Sequence, residues 1–330
     1  MKCMPVISID HLSKYYQVHK KEPGFVGSLK SLVARKYEVV KAVDDISFTI
    51  DEGEIIGFIG PNGAGKTTTL KCLSGLLYPT KGRVSVLGHT PFNRKAVFLK
   101  QISLVMGQKN QLWWDLPAMD TFLLNKEIYE IPKARFEEVV EDLATRLAVK
   151  DILHVPVRKL SLGQRMKMEL IAALIHSPKV LFLDEPTIGL DVVMQQTIRE
   201  FLKEYNEAYK ATIILTSHYM GDVEALCKRV IVINFGKILY DGLLSDLVKE
   251  HAPYKVIKVV LSKKIDQEKL DSFGETRSLN YPEWEVRIKQ KDANETAAKL
   301  LKELPVEDIT IEDPQIEDVI AGFFVANKKN

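Results

Sequence analysis

The chain has 330 residues, more than a single hydrophobic core usually serves, so one large domain with a smaller companion is expected. Apolar residues make up 46%, enough for a sizeable core, and Lys+Arg exceed Asp+Glu by only 46 − 44 = 2, which gives no electrostatic reason to expect a nucleic-acid partner. Cys3, Cys72 and Cys227 are widely spaced and odd in number, no secretory leader follows Lys2, and no run reaches the roughly 20 apolar residues of a membrane span, so a soluble cytoplasmic protein is expected.

In chain order, Val6 to Ile9 opens a strand expected to end at Tyr15 and Tyr16. A charged stretch, Val18 to Lys36, follows. Within it Phe25, Val26, Leu29, Leu32 and Val33 share one helical face beside Lys20, Lys21, Lys30, Arg35 and Lys36. Such a helix suits anionic headgroups or the protein's own core equally well. A second strand is expected around Ile46 to Ile50. After the turn Asp51-Glu52-Gly53, the run Glu54-Ile55-Ile56-Gly57-Phe58-Ile59 reads as a strand buried on both faces, entering a Gly-rich loop. A helix from Lys66 to about Leu76 should follow, with Pro79 beyond it.

Further on, Phe136, Val139, Val140, Leu143 and Leu147 fall on one helical face. Ser161 is a good N-cap for a helix ending near Ser177-Pro178. An apolar strand (Val180 to Leu183), a helix (about Val193 to Tyr209) and another apolar strand (Thr212 to Leu215) come next. Alternating helices and fully apolar strands predict an α/β doubly wound core over residues 1–250. From 251 to 330 the texture changes to strands at Tyr254 to Leu261, Trp284 to Ile288 and Ile309 to Ile311. Helices are expected near Asn294 to Leu304 and Ile316 to Phe324, which together make a small accessory α+β domain.

Gly60-Pro61-Asn62-Gly63-Ala64-Gly65-Lys66-Thr67 fits the phosphate-loop pattern between a strand and a helix. Its glycines let backbone N–H groups turn inward on phosphate oxygens, and the helix N-terminus adds positive partial charge. Lys66 is expected to reach the β- and γ-phosphates and Thr67 to ligate Mg²⁺, with Thr68 completing the phosphate-binding set. Val180-Leu181-Phe182-Leu183-Asp184-Glu185 puts two carboxylates at the carboxyl edge of the sheet. Asp184 is expected to hold Mg²⁺ and Glu185 to polarise the attacking water. The pair could instead simply cap the next helix.

These motifs indicate a nucleoside triphosphate without naming the machine. Leu160-Ser161-Leu162-Gly163-Gln164, just before the acidic strand, resembles the LSGGQ signature of ABC ATPases, with Leu162 in place of the first glycine of the pair. The resemblance covers about residues 5 to 245. It implies an ABC-type phosphate-loop fold: a mostly parallel sheet, an antiparallel N-terminal β region, and a helical subdomain over about 109–165. It also assigns roles. Tyr16 would stack on adenine, Gln108 would contact Mg²⁺ and the attacking water, and Asp191 in Gly189-Leu190-Asp191 would form the D-loop. His218 after Thr216-Ser217 would be the switch histidine. Ser161, Gly163 and Gln164 would meet the γ-phosphate held by a second protomer, so two ATPs are sandwiched in a head-to-tail homodimer or a pair with a related subunit.

The resemblance further implies separate transmembrane permease subunits, which would hold this chain peripherally at the inner face of the cell membrane. The stretch Val105 to Pro117, with Gly27 to Leu32, is similar to prokaryotic exporter-type ATPases carrying an extra C-terminal domain. Asp313-Pro314-Gln315-Ile316-Glu317-Asp318 is similar to the closing motif of such domains. Importer ATPases share the core motifs, and non-transport ABC proteins are the other alternative. The latter usually fuse two ATPase domains or split them with long coiled coil, and this sequence does neither.

Overall fold

The structure is a computed structural model that describes residues 5–19, 37–217, 219–278 and 281–326. The chain divides into two compact units, Met1–Leu243 and Leu244–Asn330. The division falls before the helix Leu244–His251, whereas the composition of the sequence changes only after it. No helix among the described residues is long and apolar enough to cross a membrane.

The first unit runs β1 (Ile7–His19), β2 (Tyr37–Ile50), β3 (Ile55–Ile59), α1 (Lys66–Leu73), β4 (Lys81–Val86), β5 (Ile102–Met106), α2 (Ala118–Ile128), α3 (Lys133–Arg146) and α4 (Leu162–Leu174). It continues with β6 (Val180–Asp184), α5 (Val192–Tyr209), β7 (Thr212–Thr216), α6 (Met220–Leu226), β8 (Arg229–Asn234) and β9 (Lys237–Leu243). Six strands form the central sheet in the order β5-β6-β7-β3-β8-β9, parallel except for β9. Every residue of β6 and β7 is buried, as expected of strands covered on both faces. A second, antiparallel sheet has the order β2-β1-β4.

One hydrophobic core of this unit fills the seam between the two sheets. Ile7 and Leu12 of β1, Ile46 and Ile50 of β2, Ile56 and Phe58 of β3, Leu70 of α1 and Phe182 of β6 belong to one buried cluster. Each such side chain contributes about 1.5–3 kcal/mol on burial, so the seam anchors β3 and α1, the two elements that flank the Gly-rich loop.

Two boundaries differ from the sequence reading. β1 continues past Tyr16 to His19, and β2 begins at Tyr37, because Tyr16 pairs with Val40, Val18 with Glu38 and His19 with Tyr37. The cross-strand partners extend the ladder where local composition suggested a loop. The helix expected within 20–36 lies outside the described residues. α1 ends at Leu73, before the expected Leu76, because Gly75 takes φ +76° and the N–H groups of Leu76 and Leu77 fold back onto the Lys71 carbonyl. A left-handed residue closes the helix ahead of the proline.

The second unit runs α7 (Leu244–His251), β10 (Tyr254–Leu261), β11 (Glu275–Ser278), β12 (Glu283–Lys289), α8 (Ala293–Glu303), β13 (Val306–Glu312) and α9 (Ile316–Ala326). Its antiparallel sheet has the order β11-β12-β10-β13. Alternation of side chains along β10 and β12 sends Ile257, Val259, Trp284 and Val286 to one face, where they share a core with Ala297 and Leu300 of α8. α9 packs on α7, with the Phe323 ring edge-on to His251 at 4.8 Å.

Candidate nucleotide site

β3 delivers the chain to the loop 60–65, and α1 leaves it. Gly65 sits at φ +111°, and a Cβ there would lie 2.4 Å from the Ala42 carbonyl oxygen, so no other residue fits. Gly65 is also the N-cap of α1, with no side-chain cap bond and no acidic residue in the first turn. The positive end of the helix dipole therefore faces the loop with no acidic residue of its own first turn to neutralise it, as an anion site requires. Pro61, Asn62 and Gly63 form the exposed crest of the loop, while Ala64, Gly65 and Lys66 are buried at its root. Gly60 opens it, and Thr67 and Thr68 are half-buried on the first turn of α1.

Lys66 Nζ folds over the loop and donates to the carbonyls of Gly60 at 2.6 Å and Pro61 at 3.1 Å. Burial pushes its pKa below the usual lysine value, and the negative charges of Glu185 and Asp184 pull in the opposite direction. Thr67 Oγ1 donates to Asp184 Oδ2 at 2.8 Å, and Thr216 Oγ1 donates to Asp184 Oδ1 at 2.7 Å. The carboxylate at the end of β6 is thus fixed by hydroxyls from α1 and β7.

Glu185 follows at φ +56°, a left-handed conformation that costs an L-residue about 1–3 kcal/mol and tends to persist where surrounding bonds enforce it. Here its N–H donates to both the carbonyl and the hydroxyl of Thr216, at 3.0 and 3.1 Å. Gln108 Nε2 donates to Glu185 Oε2 at 2.8 Å, and the preceding Gly107 N–H donates to the Asp184 carbonyl. Thr67, Gln108, Asp184 and Glu185, with Lys71, Met106 and Lys109, line a cavity of about 120 Å³. The expected pairing of phosphate loop and acidic strand is therefore realised in one cleft. Oxygen donors on Thr67, Gln108 and Asp184 suit a hard cation such as Mg²⁺.

A second group gathers at the start of α4. Ser161 caps this helix in a reciprocal box: Gln164 N–H donates to Ser161 Oγ at 3.2 Å, and Ser161 N–H donates to Gln164 Oε1 at 3.0 Å. A Cβ on Gly163 would lie 2.7 Å from Met194, so glycine here lets α5 approach. Asp191 caps α5, accepting from Met194 N–H at 2.9 Å. The Leu162 side chain extends to Gly189. Tyr16 stands apart on β1, half-exposed, with Lys14 Nζ 5.2 Å from its ring centroid. His218 lies outside the described residues.

Sequence reasoning missed three residues. Thr216 holds both Asp184 and Glu185. Val40 is directly opposite Tyr16 on β2, so both side chains share one face of the ladder. Buried Glu169 of α4 accepts from the N–H groups of Gln111 and Leu112, just after Gln108, at 2.8 and 3.2 Å. Each partnership depends on strand register or helix docking, which leaves no local pattern.

The phosphate loop on a mostly parallel sheet, the acidic pair bonded to the first turn of α1 and the capped helix α4 beside Gly189 define a phosphate-loop ATPase of the ATP-binding cassette class. Residues 43–188 match the family model described as ABC transporter, and residues 253–312 match that of the EvrA-like ABC transporter, C-terminal domain. The chain is 35% identical over 228 residues to the ABC transporter ATP-binding protein NatA of Bacillus subtilis, covering 69% of this chain and 92% of that one. It is 34% identical over 227 residues to the Nod factor export ATP-binding protein I of Sinorhizobium fredii, covering 69% and 66%. A solved dimeric post-hydrolysis state of the ATP-binding cassette MJ0796, bound to ADP and Pi, superposes with a TM-score of 0.60 at 21% identity, over 72% of this chain and 98% of that one. The chain belongs to the ABC transporter family, as an ATP-binding and ATP-hydrolysing subunit.

Proposed function

We propose that this chain is the ATPase subunit of an exporter, closing head-to-tail on a second ATPase protomer at the inner face of the cell membrane beside separate transmembrane permease subunits. The observation that carries the site assignment is the bonded series from Thr67 through Asp184 and Thr216 to Glu185 and Gln108. Export is supported by the similarity to an ATPase named for Nod factor export.

In this reading the loop 60–65 and the first turn of α1 bind the ATP phosphates. Lys66 exchanges the Gly60 and Pro61 carbonyls for β- and γ-phosphate oxygens. Tyr16 and Val40 pack on adenine. Thr67, Asp184 and Gln108 would hold Mg²⁺, which would supply neutralisation of charge on the phosphate oxygens. Glu185, oriented by Gln108 and by its own bonds to Thr216, accepts the proton of the attacking water as the γ-phosphoryl group leaves ADP. His218 contacts the γ-phosphate. Ser161, Gly163, Gln164 and Asp191 face the partner protomer's ATP. The helical subdomain, about 109–165, receives the permease, and the C-terminal unit tunes activity or dimerisation without chemistry of its own.

Glu185→Gln tests the core of this reading. It keeps an acceptor and the shape of the side chain and removes the proton acceptor. ATP affinity should stay within about threefold while phosphate release falls roughly 100-fold or more, and ATP should accumulate the variant as a dimer. Near-normal turnover would assign the base elsewhere.

A further inference from the structure

Asp222 of α6 is fully buried, and no step above uses it. Its partners come from three separate segments. Arg199 Nε of α5 donates to Oδ1 at 2.6 Å. Ser217 Oγ donates to Oδ2 at 2.7 Å, and Thr187 Oγ1 donates to the same oxygen. The contacts then propagate. Ser217 Oγ accepts from Tyr219 N–H at 3.0 Å, so the residues on both sides of position 218 are tied to the carboxylate. Arg199 also donates to Gln195 Oε1 at 3.1 Å, and Gln195 Nε2 donates to the carbonyl of Leu190 at 3.1 Å. Thr187 and Leu190 both lie between Glu185 and Asp191.

We infer that Asp222 is a positioning residue that locks the loop between Glu185 and Asp191 to the segment around position 218, so that the two act as one unit during hydrolysis. The inference rests on the roles proposed above for Glu185 and the switch segment. The physical argument is economy of burial. A buried ion pair contributes little net stability compared with apolar residues of the same volume. Here its directional bonds serve two loops, 187–190 and 217–219, that regular backbone pairing does not fix. A carboxylate supplies enough lone pairs to accept from all three donors at once, which neither a hydroxyl nor an amide oxygen can do. Neither Lys66 nor Thr67 belongs to this network, so nucleotide binding should be insulated from its loss.

The test uses the full chain with Mg-ATP and three variants: Asp222→Asn, Ser217→Ala and the near-isosteric Thr187→Val, which severs only the direct bond from the carboxylate to the loop after Glu185. Expected are a kcat loss of about tenfold or more for Asp222→Asn and several-fold for each hydroxyl variant, with KM and nucleotide Kd within about threefold. Combining Thr187→Val with Asp222→Asn should add little further loss, because both remove the same connection. If Asp222→Asn does not fold, the two hydroxyl variants decide. Parental kcat in folded Thr187→Val and Ser217→Ala, or losses that add independently in the double variant, overturns the inference. Glu185→Gln is measured alongside: its inactivity with normal turnover in the hydroxyl variants defeats the Asp222 inference alone, whereas its activity defeats the assignment of the base.

Discussion

His176 shows how one buried ring makes stability depend on pH. It stacks on Tyr129 with centroids 3.9 Å apart and planes 3° apart, and its Nε2–H donates to the Ile102 carbonyl at 3.0 Å. Burial pushes its pKa below the ordinary 6.5, with the bond to Ile102 opposing. The unfolded chain then binds the proton more readily than the native one. The stability linked to this group is present above pH 6.5 and is lost as pH falls through the depressed native value. His176→Phe keeps the stack and should flatten that fall in the melting temperature, at a pH-independent cost of about 1 kcal/mol for the unpaired carbonyl. Parallel melting profiles from pH 7.5 to 5.5 in parent and variant would refute it. Glu169 carries the opposite sign. Burial raises its carboxyl pKa against the bonds from Gln111 and Leu112, so its contribution is lost as pH rises above 4.5 through the raised value. Comparing His176→Phe with its own parent cancels this second trend.

At the scale of elements, α4 carries its own start signal. Ser161 and Gln164 satisfy each other's backbone N–H groups, so Ser161→Ala should cost about 1 kcal/mol in the nucleotide-free chain. A thermal melt without ATP separates this loss from any effect on nucleotide contacts, and an unchanged melt would show that the cap contributes nothing. The segment before α2 is different. Trp113 is 52% exposed and Trp114 48%, so neither is packed beneath α3, and the Arg165 guanidinium lies 5.3 Å from the Trp114 ring centroid. Both follow Gln108 closely in sequence, where a docked permease would sense the state of the cleft. Tryptophan is enriched among interface residues whose truncation costs about 2 kcal/mol or more. Trp113→Ala and Trp114→Ala should therefore lose co-purification with the membrane partner and keep their melting temperature. Large stability losses with partner binding retained would reverse the assignment.

For the molecule as a whole, the division at Leu243 places every described residue of the nucleotide cleft in the first unit. The second unit has its own one-faced sheet and helix core, and no group of three or more His, Cys, Asp or Glu that could hold a metal occurs among the described residues. A chain ending at Leu243 should fold and bind ATP with an affinity within about threefold of the parent, while its turnover or dimer lifetime changes. Titration with a fluorescent ATP analogue and sedimentation of the Glu185→Gln background would check both. Loss of ATP affinity in a folded truncation would show that the second unit contributes to the site.

The phosphate loop, the apolar strand ending in Asp184-Glu185 and the Ser161 cap were all legible in the sequence. Each is specified by residues adjacent along the chain: glycines where the backbone needs left-handed angles, apolar runs where both faces are covered, a hydroxyl three residues before its glutamine. Helical periodicity likewise located α3, and the continuous apolar runs located β6 and β7. What local pattern could not supply was which distant residues meet. Thr67 and Asp184 are 117 positions apart, and Thr187 and Asp222 are 35 apart. Tyr16 meets Val40 only because the β1–β2 ladder runs on through residues whose composition suggested a loop. A hydrogen-bond partner across a parallel sheet is chosen by strand order and register, which the crossover connections and the packing of the whole core determine. The sequence by itself therefore identified the class of protein, and the tertiary structure alone decided that Thr216 and Gln108 bond to the acidic pair and that Asp222 bonds to Thr187 and Ser217 in the loops beside it.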